Sequence, residues 1–331
     1  MKRQIWVPLL VLSIGAALGG QSFSASAADQ VKQMCPYGNF PELSNFSGAG
    51  ANYARPDISV ACTAAEVIVE SNGMISFPFV KMTPNSLKEQ DWTWHIPLTP
   101  KVASAPTSIR NVLGTLGFTV SGLPIYGPTE GPMPATQAYG DPAYNKILDS
   151  CGGHTGPASE YHQHAIYFAA QCNLSKQTVV GYALDGFPIY SNPGCVEKSC
   201  KTTMKMVSGY SMTGNPTSAS WDAYTYNKSS KSSVLDACNG RTEPDGSYGY
   251  HVTDTFPYII GCYKGTATAQ AGKSAAAMAP MGGGNGAPPQ SGQPGQGGVA
   301  KKQDSDPRKM APSANPEKLK IEKTKTSEKK S

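Results

Sequence analysis

Apolar and polar residues along this chain alternate in short runs rather than with a helical period. Ala65–Glu70 (Ala-Glu-Val-Ile-Val-Glu) is rich in β-branched residues and ends at the turn Ser71-Asn72-Gly73, so it predicts a strand. Met74–Val80 predicts a second strand, and Pro78 inside it places that strand at an edge. Trp92-Thr-Trp94-His95-Ile96 alternates and predicts a third, and Leu113–Val120 a fourth. Residues 29–62 show no helical period and read as loop with short strands. Asp141–Ser150 allows one helical turn. Gly and Pro together make up 62 of 331 residues, so turns are frequent. The fold expected is mainly β, a sandwich-like or open-barrel domain.

The pattern also repeats. Leu113–Val120 runs into Gly122-Leu-Pro-Ile-Tyr126, and the phrase returns as Gly186-Phe-Pro-Ile-Tyr190. Downstream, Asp149-x-Cys151-x-Gly153-His154-x6-Tyr161-x-x-His164 is echoed without a gap by Asp236-x-Cys238-x-Gly240-Arg241-x6-Tyr248-x-x-His251. The repeat unit is a strand-turn-strand module, spanning about 113–172 and then about 178–262. The second copy carries an insertion holding Cys195, Cys200 and the polar run 201–233. Two copies make a duplicated domain rather than a solenoid.

The ends differ from this body. Met1-Lys2-Arg3, an apolar run from Ile5 to Leu18 and Ala25-Ser26-Ala27 have the order of a secretory signal peptide, expected over 1–28. No Cys closely follows the apolar run and no twin Arg precedes it. Beyond Gly265 the composition turns Ala/Gly/Pro/Gln-rich and then Lys-rich, so 266–331 is expected as a disordered tail. Its basic end is suited to touching anionic envelope surfaces. The folded domain is expected over 29–265.

Charge and cysteine content narrow the function. The formal net charge is +5, but residues 301–331 alone contribute ten basic and five acidic residues. Without these and Lys2 and Arg3 the body has 16 basic and 18 acidic residues, which gives no nucleic-acid footprint. No later apolar run is long enough to span a membrane. All eight cysteines follow the leader, and an even count in an exported chain reads as disulfides, placing the protein in the periplasm or outside the cell. Each repeat opens with a Cys and is followed by another, which pairs Cys151 with Cys172 and Cys238 with Cys262. Cys195–Cys200 then closes a small loop, and Cys35–Cys62 the front.

Three of the five histidines fall within Cys151–His164. On a strand His162 and His164 point to one side, with Tyr161 and Gln163 on the other. His154, after the Gly152-Gly153 turn, is placed to add a third imidazole. His251 is a candidate fourth if the repeats bring equivalent positions together. Such a set suits Cu or Zn. The opposing reading is a buried Tyr–His cluster with no metal. Asp, Cys, Gly, Tyr and the last His persist in both copies and read as scaffold, whereas His154 and His162 become Arg241 and Gly249. Asp185, whose counterpart is Ser121, is a candidate to orient a histidine or act as a base, although a turn-capping role is the simpler one. His95 reads as structural. No Gly-x-Ser-x-Gly, phosphate loop or dinucleotide fingerprint is present.

Together Asp149-Ser-Cys-Gly-Gly-His154, Tyr161-His-Gln-His164, Gly181–Tyr190, Leu235–Gly240 and Tyr248–Thr253 with Phe256-Pro-Tyr258 and Gly261-Cys262 resemble the YHYH-domain family over roughly 60–265. Gln163 stands where that motif has its second Tyr. The resemblance implies the fold and export, and no established reaction. The function expected is metal binding through His154, His162, His164 and His251. The alternatives are a metal-dependent hydrolase or oxidoreductase of the cell envelope, and a non-enzymatic envelope or glycan-binding protein using Tyr126, Tyr190 and Tyr258.

Overall fold

The protein is described by a computed structural model covering residues 27–131, 140–172, 179–268 and 270–271. Most of the expected leader and of the expected tail therefore lie outside the described residues.

The chain is mainly β, built from several open sheets. Strands β1 (Ile58–Cys62), β2 (Glu66–Ser71) and β3 (Trp92–Pro97) form an antiparallel meander. The alternation of Glu66–Ser71 and Trp92–Pro97 buries Val67, Val69, Trp92, Trp94 and Ile96. Then come β4 (Thr107–Ser108), β5 (Thr115–Thr119), β6 (Pro124–Tyr126), β7 (Gly153–Thr155), β8 (Tyr161–Gln163), β9 (Val179–Ala183) and β10 (Pro188–Tyr190). The insertion carries β11 (Gly194–Cys195), β12 (Thr203–Met204), β13 (Tyr210–Met212) and β14 (Tyr224–Tyr226), in two small hairpins. The last described strands are β15 (Gly240–Thr242), β16 (Tyr248–His251), β17 (Cys262–Tyr263), which pairs with β4, and β18 (Gln270–Ala271), which adds to β3.

Eight strands form one sheet in the order β15-β16-β10-β9-β5-β6-β8-β7. Read from its centre, between β9 and β5, this order is the same in both directions once repeat equivalents are matched. The registers match too. β6 runs parallel to β8 through Ile125↔Gln163, as β10 does to β16 through Ile189↔Tyr250. His154 faces His162 as Arg241 faces Gly249. The two larger sheets share a core in which Trp94 stacks on Phe118 at 4.7 Å between ring centroids.

Four disulfides staple the fold: Cys35–Cys62, Cys151–Cys172, Cys195–Cys200 and Cys238–Cys262. Cys151–Cys172 and Cys238–Cys262 are the pairs expected from the repeat, and the other two are the small loop and the front bridge expected beside them.

Two local expectations are corrected. Met74–Val80 is not a strand. Gly73 turns the chain at φ +63°, and Met74, Ile75 and Phe77 are all buried in a second apolar cluster with Leu123, Tyr161 and the Cys151–Cys172 bridge. Met74–Phe77 packs into that cluster without strand pairing, while Pro78 and Val80 are exposed. In the front region a helix covers Ala27–Met34, followed by short 3-10 turns at Tyr37–Asn39 and Leu43–Asn45. Asp141–Ser150 contains the expected single turn, with the Asp141 carboxylate accepting from the N–H groups of Ala143 and Tyr144.

The residues that both copies retain are joined by the same hydrogen bonds. One Asp149 oxygen accepts from the N–H of Cys151 at 2.8 Å and of Gly153 at 3.2 Å, and the Tyr161 hydroxyl donates to the same carboxylate. Asp236 holds Cys238, Gly240 and Tyr248 in the same way. The Gly at the second of these positions is required by the close approach. A Cβ on Gly153 would overlap the His162 carbonyl and the Tyr161 ring, and one on Gly240 the Tyr248 hydroxyl. The two carboxylates differ in burial: Asp149 is buried and Asp236 is about one-third exposed in its side chain. Asp149→Ala strands a buried hydroxyl and two N–H groups, so it is expected to cost about 3 kcal/mol or more in urea denaturation. Asp236→Ala is expected to cost about half of that.

Candidate metal centre

The β7–β8 hairpin places His154 and His162 directly opposite each other. His164, two residues beyond His162, lies on the same side of the chain. Its N–H and that of Ala165 both donate to the Gly152 carbonyl, at 3.0 and 3.1 Å. The backbone accommodates this only at glycine, because Gly152 has φ +89° and a Cβ there would overlap the Ala165 carbonyl. Gln163 points the other way and donates to the Cys151 carbonyl at 2.7 Å. The Tyr126 ring, from β6, lies parallel to His162 at 3.9 Å.

The three imidazoles converge, with centroids 4.7, 5.1 and 4.9 Å apart. The Nε2 atoms of His162 and His164 are 3.1 Å apart. Nδ1 of His164 lies 2.6 Å from the Gly127 carbonyl, which only accepts, so Nδ1 carries the proton and Nε2 presents a lone pair inward. A carboxylate completes the group. Glu130 Oε2 is 3.2 Å from His154 Nε2 and 3.1 Å from His164 Nε2. One ligand atom from each of Glu130, His154, His162 and His164 lies within 4.8 Å of all the others, a spacing that one ion would bridge.

Behind this set is a second carboxylate. Glu160 is fully buried, and its Oε1 is 3.5 Å from Nδ1 of His162. It fits beside Gly156, where a Cβ would overlap its carboxyl group. A carboxylate behind a histidine, on the nitrogen turned away from the ion, is the arrangement that fixes a metal-binding tautomer.

Several polar atoms of the group lack a hydrogen-bond partner. Glu130 Oε2, both ring nitrogens of His154, Nδ1 of His162 and both Glu160 oxygens are buried without a hydrogen bond. Buried polar atoms are rarely left this way, and a cation between them is one way to satisfy them. Burial pushes the Glu130 carboxyl up, but the facing His154 and His164 outweigh this and hold it well below its ordinary value. Burial, with His154 and His164 nearby, holds the His162 imidazole well below its ordinary value, so it is neutral and able to donate a lone pair. Burial pushes Glu160 up to about 7.

The cluster is closed. His154, His162 and His164 are each at most 3 % exposed, and only the Glu130 side chain, at 28 %, reaches toward the surface among the described residues.

The structure brings together His154, His162 and His164 but not His251. Because the twofold relation of the repeats runs through the β9–β5 centre of the sheet, equivalent positions lie near opposite edges rather than side by side. His251 is bonded instead to Glu243, at 2.6 Å from Nε2. Asp185 is also elsewhere. Its Oδ2 accepts from the Tyr250 hydroxyl at 2.6 Å and the Gly265 N–H at 2.8 Å, and its Oδ1 from the Phe187 N–H, so it is a turn and clamp residue rather than a base beside the histidines. His95 pairs with Glu66 across the β2–β3 ladder. Of the tyrosines expected as an aromatic platform, Tyr126 and Tyr258 are buried and Tyr190 is half-buried, which removes the basis for that platform.

Glu130 and Glu160 were not picked out from the sequence, yet the repeat carries a signal for both. Glu130 stands four residues after Tyr126, and the residue four after Tyr190 is Gly194; Glu160 precedes Tyr161, and Ser247 precedes Tyr248. Like His154 and His162, both carboxylates belong to the first copy alone.

A family model described as "YHYH protein" matches residues 93–265, which include every residue of this cluster. No curated protein and no solved structure matches the chain.

Proposed function

The chain belongs to the YHYH protein family, and from that premise we propose that it is an exported protein that binds one transition-metal ion, Cu or Zn, through His154, His162, His164 and Glu130. The observation that carries this reading is the convergence of four ligand atoms in a buried site, several of whose polar atoms lack a hydrogen bond. Imidazole with one carboxylate suits Zn²⁺ and Cu²⁺. Four protein donors in a closed site favour tight holding of the ion over hydrolysis, which needs an open coordination position. Export is supported by the four disulfides, since no described cysteine is free. Among the described residues no helix is long and apolar enough to cross a membrane. The Lys-rich segment 301–331 would give the exported protein an electrostatic hold on anionic envelope surfaces.

Elemental analysis of protein isolated from its native compartment tests the reading. One ion of Cu or Zn per chain is the expected result. Metal-free protein that also fails to take up added Cu²⁺ or Zn²⁺ at micromolar concentration would overturn it.

A further inference from the structure

The counterpart of the metal site in the second repeat is not an empty scaffold. Arg241 stands where His154 does and turns its guanidinium inward. Its Nε donates to Glu243 Oε1 at 3.0 Å, and its Nη2 donates to Glu243 Oε2 at 2.7 Å and to the Cys195 carbonyl at 2.6 Å. His251, the counterpart of His164, places Nε2 2.6 Å from Glu243 Oε1. The other two site positions have been emptied. Gly194 replaces Glu130, and a Cβ built on it would come 2.8 Å from His251 Cε1 and 3.0 Å from Arg241 Nη2. Gly249 replaces His162, and the Tyr190 ring lies against it where a side chain would start. The triad is desolvated, with side-chain exposures of 14 % for Arg241, 8 % for Glu243 and 1 % for His251.

From this we infer that the Arg241 guanidinium is the built-in cation of the second repeat, taking the place of the metal ion bound by the first. The inference rests on the metal reading above. In each half a positive charge ties the loop after Pro-Ile-Tyr to the outer hairpin. In the first half the tie is Glu130 to β7 and β8; in the second it is the Cys195 carbonyl to Arg241, Glu243 and His251. A guanidinium fork matches a carboxylate with two parallel bonds and is part of the chain rather than a ligand that can leave. The second edge of the sheet is therefore locked permanently, and the first is locked only when metal is present. The protein holds one ion rather than two, and metal governs the order of one edge alone.

Hydrogen exchange of the full chain, read by segment, tests this. Chelation of the metal-loaded protein is expected to raise exchange about tenfold or more in 127–131 and 153–164, and to leave 190–195 and 240–251 unchanged. Arg241→Ala is expected to do the reverse, without loss of metal. A cleft of about 200 Å³ opens beside Glu243 and His251. Millimolar guanidinium chloride should enter through it and restore protection in Arg241→Ala, whereas equal sodium chloride should not. Unchanged exchange at 240–251 in Arg241→Ala, or equal restoration by both salts, overturns the inference. If Arg241→Ala does not fold, Arg241→Lys replaces it, since one charge without the fork should still loosen 190–195 and 240–251; unchanged protection there overturns the inference too. A wild-type protein without metal defeats the metal reading, and the exchange of the Arg241 variant still reports separately on the role of the guanidinium.

Discussion

His162→Ala is expected to abolish stoichiometric metal retention while leaving the protein folded. The loss should be large because His162 would supply one of the four proposed donors, with Glu160 behind it. Removing a partner behind a ligand typically costs 10- to 100-fold in affinity, so removing the ligand itself should cost about 100-fold or more. Folding should survive for a reason visible in the other repeat. Gly249 occupies the equivalent strand position, and there the Tyr190 ring closes over the backbone. Tyr126, stacked on His162 at 3.9 Å, is placed to do the same once the imidazole is gone. Competition with a colorimetric chelator measures the affinity, and far-UV circular dichroism the fold. Wild-type affinity in the folded variant would remove His162 from the ligand set.

Glu160→Gln is expected to make the metal-free protein more stable and the metal-bound protein weaker in its hold on the ion. The sign follows from the protonation of a buried carboxyl. Burial raises Glu160 from 4.5 to about 7, so the folded state binds a proton that the unfolded state releases between those values. Stability from this group is fully present below the unfolded value and is lost as pH rises to about 7. Above that the buried charge costs about 3 kcal/mol. Glutamine has no charge to bury. The variant should therefore gain up to about that amount at pH 8, and the gain should vanish near pH 4.5. Urea denaturation of the chelator-treated proteins at the two pH values checks it. Metal affinity should fall about 10- to 100-fold, because the amide no longer orients His162 with a full charge. An equal gain at both pH values would show that Glu160 does not titrate as described. A bound cation would offset the buried charge, which explains why a costly carboxylate stands behind His162.

Much was legible in the chain itself, because the signals concerned were local or repeated. Alternation in Trp92–Ile96 and β-branching in Ala65–Glu70 place strands, since a pleated backbone turns a period of two into two faces. The duplication carried two of the four disulfide pairs, Cys151–Cys172 and Cys238–Cys262, and separated scaffold from site. Asp149, Cys151, Gly153 and Tyr161 recur as Asp236, Cys238, Gly240 and Tyr248 because a buried turn needs the same hydrogen bonds wherever it is used. His162 and His164 were placed on one side by strand geometry alone.

What only the tertiary structure decided were the contacts between elements distant in the chain. Met74–Val80 looks like a strand, but its first half packs against Leu123 and Tyr161 and its end is exposed, and no local pattern specifies that plug. The partner of the three histidines is Glu130, brought in by a loop from across the β6–β8 pairing. His251, a natural fourth ligand if the repeats met at their sites, lies near the opposite edge, because the sheet joins the copies through β5 and β9. A repeated sequence establishes that two modules are alike. Which edges of those modules meet depends on the hydrogen bonding and shared core of the assembled sheet, and here that choice left one site with a ligand set for an ion and the other with an arginine in its place.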